Sequence, residues 1–219
     1  MDILKKLKDY REEERQLKWQ GTFSEYMEII KQKPEVAQTA HSRVYHMIKS
    51  FGSTEEDGSK TYHFFGDEIF GLEDSIERLV EEYFHPAAKR LDVRKRILLL
   101  MGPVSGGKST IVTMLKRGLE KYSRTDEGAI YAIQGCPMHE DPLHLIPQHF
   151  REDFFKTYGI RIEGNLSPLN TMRLEKEYGG RIEDVMVERV FLSEDKRVGI
   201  GTFSPSDPKS QDIADLTGS

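Results

Sequence analysis

An α/β fold, with helices layered on both sides of a mainly parallel sheet, is what this sequence predicts, and three observations predict it. Residues 102–110 read GPVSGGKST, a glycine-rich turn with the spacing G-x-x-x-x-G-K-S. The apolar run ILLLM at 97–101 precedes it and suits a buried strand. STIVTMLKRGLEKY follows, with Ile111, Leu115 and Leu119, joined by Val112 and Tyr122, at helical spacing. Strand, glycine-rich turn and helix in that order make a phosphate-binding loop. Gly102, Gly106 and Gly107 free the backbone to aim successive N–H groups at phosphate oxygens, with Pro103, Val104 and Ser105 completing the loop. The helix that follows adds the partial positive charge of its N-terminus. Lys108 is placed to reach the β- and γ-phosphates, Ser109 to offer its hydroxyl to Mg²⁺, and Thr110 closes the motif. The pattern implies a bound nucleoside triphosphate.

Taken in order, residues 2–18 mix charge with Ile3, Leu7, Tyr10 and Leu17 and predict an amphipathic helix. Thr22 can cap a helix whose apolar face is Phe23, Tyr26, Met27 and Ile30. Pro34 reads as the first residue of another helix, carrying Val36, Ala40, Val44, Met47 and Ile48. His41 and His46 fall on different faces of it and read as ordinary surface or boundary residues. FGSTEEDGSK (51–60) predicts an exposed loop and TYHFF (61–65) a short strand. Leu72, Ile76, Leu79, Val80, Tyr83 and Phe84 then space out a helix of more than three turns. AIYAIQG (129–135) supplies a second core strand.

The stretch 136–150 holds Cys136, His139, His144 and His149, but its three prolines and irregular gaps match no common structural-zinc spacing. It reads as a Pro-rich loop beside the nucleotide or substrate path. Residues 150–180 are mostly helical with glycine breaks, and Val185–Leu192 with Arg197–Phe203 predict a β-hairpin. The resulting division is a helical amino-terminal region, 1–60, before an α/β core, 61–219.

Composition narrows the function. A net charge of −5 argues against a nucleic-acid partner, which favours a basic face. No apolar run exceeds five residues, so no membrane span is expected, and the amino terminus lacks the apolar core of a secretion signal. The single cysteine, Cys136, excludes an internal disulfide and fits a cytoplasmic location.

Five strings carry a more specific likeness: FFGDEIFGLEDSIERLVEEYFHPAAK, GPVSGGKST, CPMHEDPLHLIP, IEGNLSPLNTMRLEKEYGG and VGIGTFSPSDPKSQDIADLTGS. Together they resemble the PrkA family of bacterial proteins, described as serine protein kinases with an AAA+ ATPase region, from about Gly21 to the last residue. The resemblance implies an AAA+-like P-loop NTPase fold, ATP with Mg²⁺, protein serine or threonine side chains as phosphate acceptors, and roles in stress and sporulation signalling. It further implies a longer full-length protein acting as a homo-oligomer, of which this chain is an amino-terminal part. Ile69-Phe70-Gly71 resembles the AAA+ segment that packs against adenine; by its spacing alone it is equally a plain helix start. The hairpin before the chain end resembles an insert that some AAA+ proteins place ahead of the Walker B strand.

A P-loop ATPase also needs a carboxylate on a later strand to hold Mg²⁺ and orient water. Asp195 and Asp207 lie beyond strand ends in polar turns, so that acid, with the sensor and arginine-finger positions, is expected outside these residues. No HRD, DFG or VAIK-like string is present, and the kinase activity rests on the resemblance alone. The competing readings are an AAA+ motor that couples hydrolysis to remodelling or proteolysis of a protein client, and an ATP-dependent switch.

Overall fold

A computed structural model describes residues 17–56, 58–89, 97–103 and 106–203, together with residues 3, 5 and 12. Most of the helix expected at 2–18, and Val104, Ser105 and Asp207, lie outside the described residues.

The main sheet is built from three short strands in the order β1 (Gln20–Thr22), β5 (Met186–Val190), β4 (Ile130–Ile133). Both pairings are antiparallel, Gln20 opposite Glu188 and Ile133 opposite Val187. The mainly parallel sheet expected from sequence is therefore not what the described residues form. Parallel strands are buried on both faces and need near-continuous apolar runs. Here β5 is no such run: Glu188 and Arg189 stand between the buried Val187 and Val190. The segment 97–101 adopts no strand: Leu98 and Leu100 pack inward, while Ile97, Leu99 and Met101 are 86%, 74% and 82% exposed.

Thr22 ends β1 and caps α1 (Phe23–Gln32) through a capping box with Glu25. Pro34–Val36 is a single 3₁₀ turn and not the start of the next helix. The chain breaks there because Thr39 supplies a stronger stop and start, its hydroxyl accepting from the Ser42 amide to cap α2 (Ala40–Ser50). Residues 53–62, expected as a loop and a strand start, pair as a hairpin of β2 (Ser53–Glu56) and β3 (Ser59–Tyr62). Every residue of β2 is exposed, so it shows none of the apolar alternation that marks a strand.

The helix expected from Leu72 is present as α3 (Glu73–Arg78), a π-helical stretch Leu79–Phe84 and α4 (His85–Ala88). Pro86 lacks an amide hydrogen and its ring crowds the carbonyl four residues back, which accounts for the widened turn just before it. Helix α5 (Lys108–Tyr122) follows the glycine loop, and α6 (Arg151–Tyr158) and α7 (Pro168–Tyr178) cover 151–178. The expected hairpin of 185–192 with 197–203 is not formed. Strand β5 spends its hydrogen bonds on β1 and β4, and the following turn closes only at Ser193, opposite Val198 and Gly199.

Two apolar clusters hold these elements. The first joins Phe23, Tyr26 and Ile30 of α1 to Ile133, Val185 and Val187 and to the 143–160 loop and helix. The second joins Met47 and Ile48 of α2 to Phe64, Phe65, Ile76 and Val80, and to Ile111 and Met114 of α5. Arg43, 7% exposed, lies between them and donates to the carbonyls of Gly128 (2.7 Å), Ala129 (3.1 Å) and Val36 (3.1 Å). No helix among the described residues is long and apolar enough to cross a membrane.

Candidate functional site

Gly107 turns the chain into α5 with φ 74°, the left-handed region that favours glycine. A Cβ at Gly106 would stand 3.0 Å from the Pro103 carbonyl, and one at Gly107 would stand 3.1 Å from Leu72 Cδ1. A side chain at either position would crowd its neighbour, and at Gly107 it would also strain the left-handed backbone. The Gly106 amide donates to the Pro103 carbonyl (3.2 Å). The Lys108 ammonium folds back over the loop, donating to the carbonyls of Gly102 (2.9 Å) and Pro103 (2.5 Å). Among the described residues no carboxylate pairs with it, and α5 has no side-chain cap at its N-terminus. The first amides of α5 and the Lys108 ammonium, held only by loop carbonyls, thus lie at one end of the helix, the donor set an anion requires. Ser109, exposed in the first turn, is at the same end.

Leu72 places the segment resembling the adenine-packing one directly against this loop. Ile69 is buried in the second core, Phe70 is 78% exposed, and Gly71 takes φ 71° to turn between them and α3. A cavity of about 200 Å³ beside them is lined by Tyr62, Phe65, Ile69, Phe70 and Ile76 among others. The structure therefore brings Leu72, next to 69–71, against Gly107, thirty-five residues further along the chain.

The far end of α5 is anchored as firmly. Arg189 lays its guanidinium on the last carbonyls, with Nη2 at 3.4, 3.1 and 2.7 Å from those of Ser123, Arg124 and Thr125. A cation there complements the negative end of the helix dipole. Midway, a Cβ on Gly118 would stand 2.7 Å from Met47 Sδ and the Phe64 ring, so glycine sets how closely α5 lies on α2.

Asp195 is exposed in the turn after β5, and its neighbour Glu194 fixes where that turn sits. Lys116 Nζ donates to Glu194 (2.5 Å), whose own amide donates to Glu120 (2.6 Å). Lys116 and Glu120 follow Ser109 by roughly 10 to 16 Å along the helix axis. The turn therefore docks well down α5, away from the phosphate loop.

Sequence reading missed one polar cluster. Glu140 receives the Ser167 amide (2.8 Å), the Ser167 hydroxyl (2.6 Å), the Asn170 amide group (2.5 Å) and His144 Nδ1 (3.1 Å). His144 Nε2 sits 2.8 Å from the Glu163 carbonyl, and Asn170 also donates to the buried Cys136 thiol at 3.2 Å. Burial pushes the Glu140 carboxyl up, but the hydrogen bonds from Ser167, Asn170 and His144 outweigh it and hold it below its ordinary value. Because the serine hydroxyl goes to the carboxylate and Nε2 to a carbonyl, no nucleophile–base pair forms. The cluster braces the 134–147 loop against the start of α7. Its one legible signal was Ser167-Pro168, a cap followed by proline at the first helical position.

A family model described as the PrkA AAA domain matches residues 21–219. The chain belongs to that family. It is 78% identical over all 219 residues to a Bacillus subtilis protein named ATP-dependent protease PrkA, and spans 35% of that relative's length. An Escherichia coli K12 relative named serine/threonine kinase YeaG is 35% identical over 160 residues, covering 69% of this chain and 24% of the relative. A Geobacillus stearothermophilus protein named uncharacterized protein in gldA 5′ region is 68% identical over 97 residues, 44% of this chain and all of that one. No solved structure matches the chain. Membership of an AAA domain family supports ATP binding, and the uncapped, glycine-lined start of α5 with the Lys108 ammonium beside it fits a triphosphate.

Proposed function

We propose that this chain is the ATP-binding module of a larger enzyme that acts on protein clients. The observation that carries the reading is the convergence of Lys108, the uncapped amides of α5 and the Leu72 contact on one loop. In this reading the amides at 106–110 and Lys108 hold the β- and γ-phosphates, Ser109 supplies its hydroxyl to Mg²⁺, and Phe70 lies along the base. Val104 and Ser105 complete the loop. The γ-phosphate is the group that bound ATP makes available for transfer.

Two uses of that ATP are open to a protein-directed enzyme. Phosphoryl transfer to serine or threonine is the reading that the Escherichia coli relative's name favours. ATP-driven proteolysis is favoured by identity of 78% over the whole chain to a relative named a protease. The second is the stronger, because that relative matches the whole chain at 78% identity, against 35% over 160 residues for the other. Incubating the full-length protein with γ-labelled ATP and an unfolded client protein separates them. Client fragments with released phosphate support proteolysis, label on client serine supports the kinase, and no ATP binding at all overturns both.

A further inference from the structure

The cavity beside Phe70 has walls suited to a flat ring and one group suited to that ring's edge. Tyr62, Phe65 and Phe70 supply aromatic surface, and Lys60, Thr61 and Glu73 line it with polar groups. Two donors there are already spent. Lys60 Nζ (3.0 Å) and the Tyr62 hydroxyl (2.5 Å) both donate to Glu81 Oε1, in the π-helical stretch. Glu73 is spent on one side only. Its Oε1 accepts from the Gly71 amide at 3.0 Å, and its Oε2 has no partner among the described residues. That contact holds the left-handed turn, φ 71°, that leaves Phe70 exposed and carries Leu72 to Gly107. Phe70 and Leu72 are two residues apart, at most about 7 Å of chain, so the wall at Phe70 lies close to the phosphate loop.

We infer that Glu73 selects the base, its second carboxylate oxygen accepting a hydrogen bond from the exocyclic amino group of adenine. This rests on the nucleotide reading and adds the residue that tells one purine from another. An ionised carboxylate accepts hydrogen bonds and donates none. Adenine presents its N6 amino donor where guanine presents the acceptor O6. Guanine in the same place would set two acceptors against each other, and a site built around a hydrogen bond rejects a ligand that cannot make it. The chain has its own candidates for the same oxygen: Arg90, Arg94, Lys95 and Arg96 stand between α4 and residue 97. A cation from that stretch would hold Glu73 to the protein whatever the base, which makes the two arrangements separable.

Equilibrium binding of ATP, GTP and tripolyphosphate to the full-length protein tests it, in wild type, Glu73→Gln and Glu73→Ala. Wild type should prefer ATP to GTP by about tenfold or more, the worth of a hydrogen bond to a charged group. Glu73→Gln keeps an oxygen for the Gly71 amide and turns an amide donor toward O6. The preference should therefore collapse or invert, with tripolyphosphate affinity and melting temperature as in wild type. Glu73→Ala should also lose the preference, and should bind both nucleotides more weakly because the Gly71 turn loosens. An ATP-to-GTP ratio in Glu73→Gln equal to that of wild type overturns the inference. So does an equal loss of both nucleotides with a lower melting temperature, which would put Glu73 on the chain's own cations. Failure of wild type to bind either ATP or tripolyphosphate would overturn the nucleotide reading itself, whereas an unchanged ratio leaves that reading standing.

Discussion

Lys108 holds only two loop carbonyls, so its removal disturbs little besides the ligand site. Lys108→Met is expected to weaken ATP binding roughly tenfold to a hundredfold, the worth of one hydrogen bond to a charged group, with melting unchanged. Ser109→Ala should show a defect that shrinks as Mg²⁺ is raised, whereas the lysine defect persists. Calorimetric titration across a Mg²⁺ series checks both, and wild-type affinity in a folded Lys108→Met protein would sink the loop assignment. Phe70 and Ile69 make a second contrast. Phe70 is exposed, so Phe70→Ala should cost ATP affinity without stability. Ile69 is buried at 8% exposure, so Ile69→Ala should cost about 2–4 kcal/mol of stability by leaving a cavity.

At the scale of elements, the brace on α7 gives a pH dependence whose sign is fixed. Glu140 ionises more easily folded than unfolded, so its contribution is complete above its ordinary value of 4.5 and is lost as pH falls through the lower folded value. Glu140→Gln should therefore destabilise by about 1–3 kcal/mol at neutral pH and flatten the stability profile below pH 5. Urea melts at pH 7, 5 and 3.5 read this out; parallel profiles for the two proteins would remove Glu140 as the cause. The elements legible in the sequence were those whose signal is local. Thr22 with Glu25, the Leu72–Phe84 spacing and the Gly107-Lys108 junction each announce themselves within a few residues. Strand β2 was not legible because every residue of it is exposed, and β3 was read only from Thr61, where the buried Tyr62 follows. The Glu140 cluster was not legible because its members lie 27 and 30 residues apart in the chain. Sheet direction failed for a related reason: a short apolar run fixes a strand and says nothing of its neighbour.

At the scale of the whole molecule, the buried cation Arg43 lies between the two apolar clusters, beside the Arg189 contacts that hold β5 to the end of α5. Arg43 is desolvated, which lowers its pKa, and among the described residues it has no salt-bridge partner; three carbonyls from 36, 128 and 129 solvate it instead. Those carbonyls belong to the first cluster's border, while Met47 and Ile48, one turn further along α2, belong to the second. Helix α2 and Arg43 thus link the sheet side of the molecule to the phosphate-loop helix. Arg43→Met keeps the stem and strips the donors, leaving buried carbonyls without partners at about 1–3 kcal/mol each. The expected outcome is a loss of several kcal/mol and a melt that separates into two steps, with ATP–Mg²⁺ raising only the step that reports the second cluster. Calorimetry with and without nucleotide, alongside Trp19 fluorescence as a probe packed on the first cluster, resolves the two. A single transition that ATP shifts as a unit would mean that the clusters are joined by something other than Arg43.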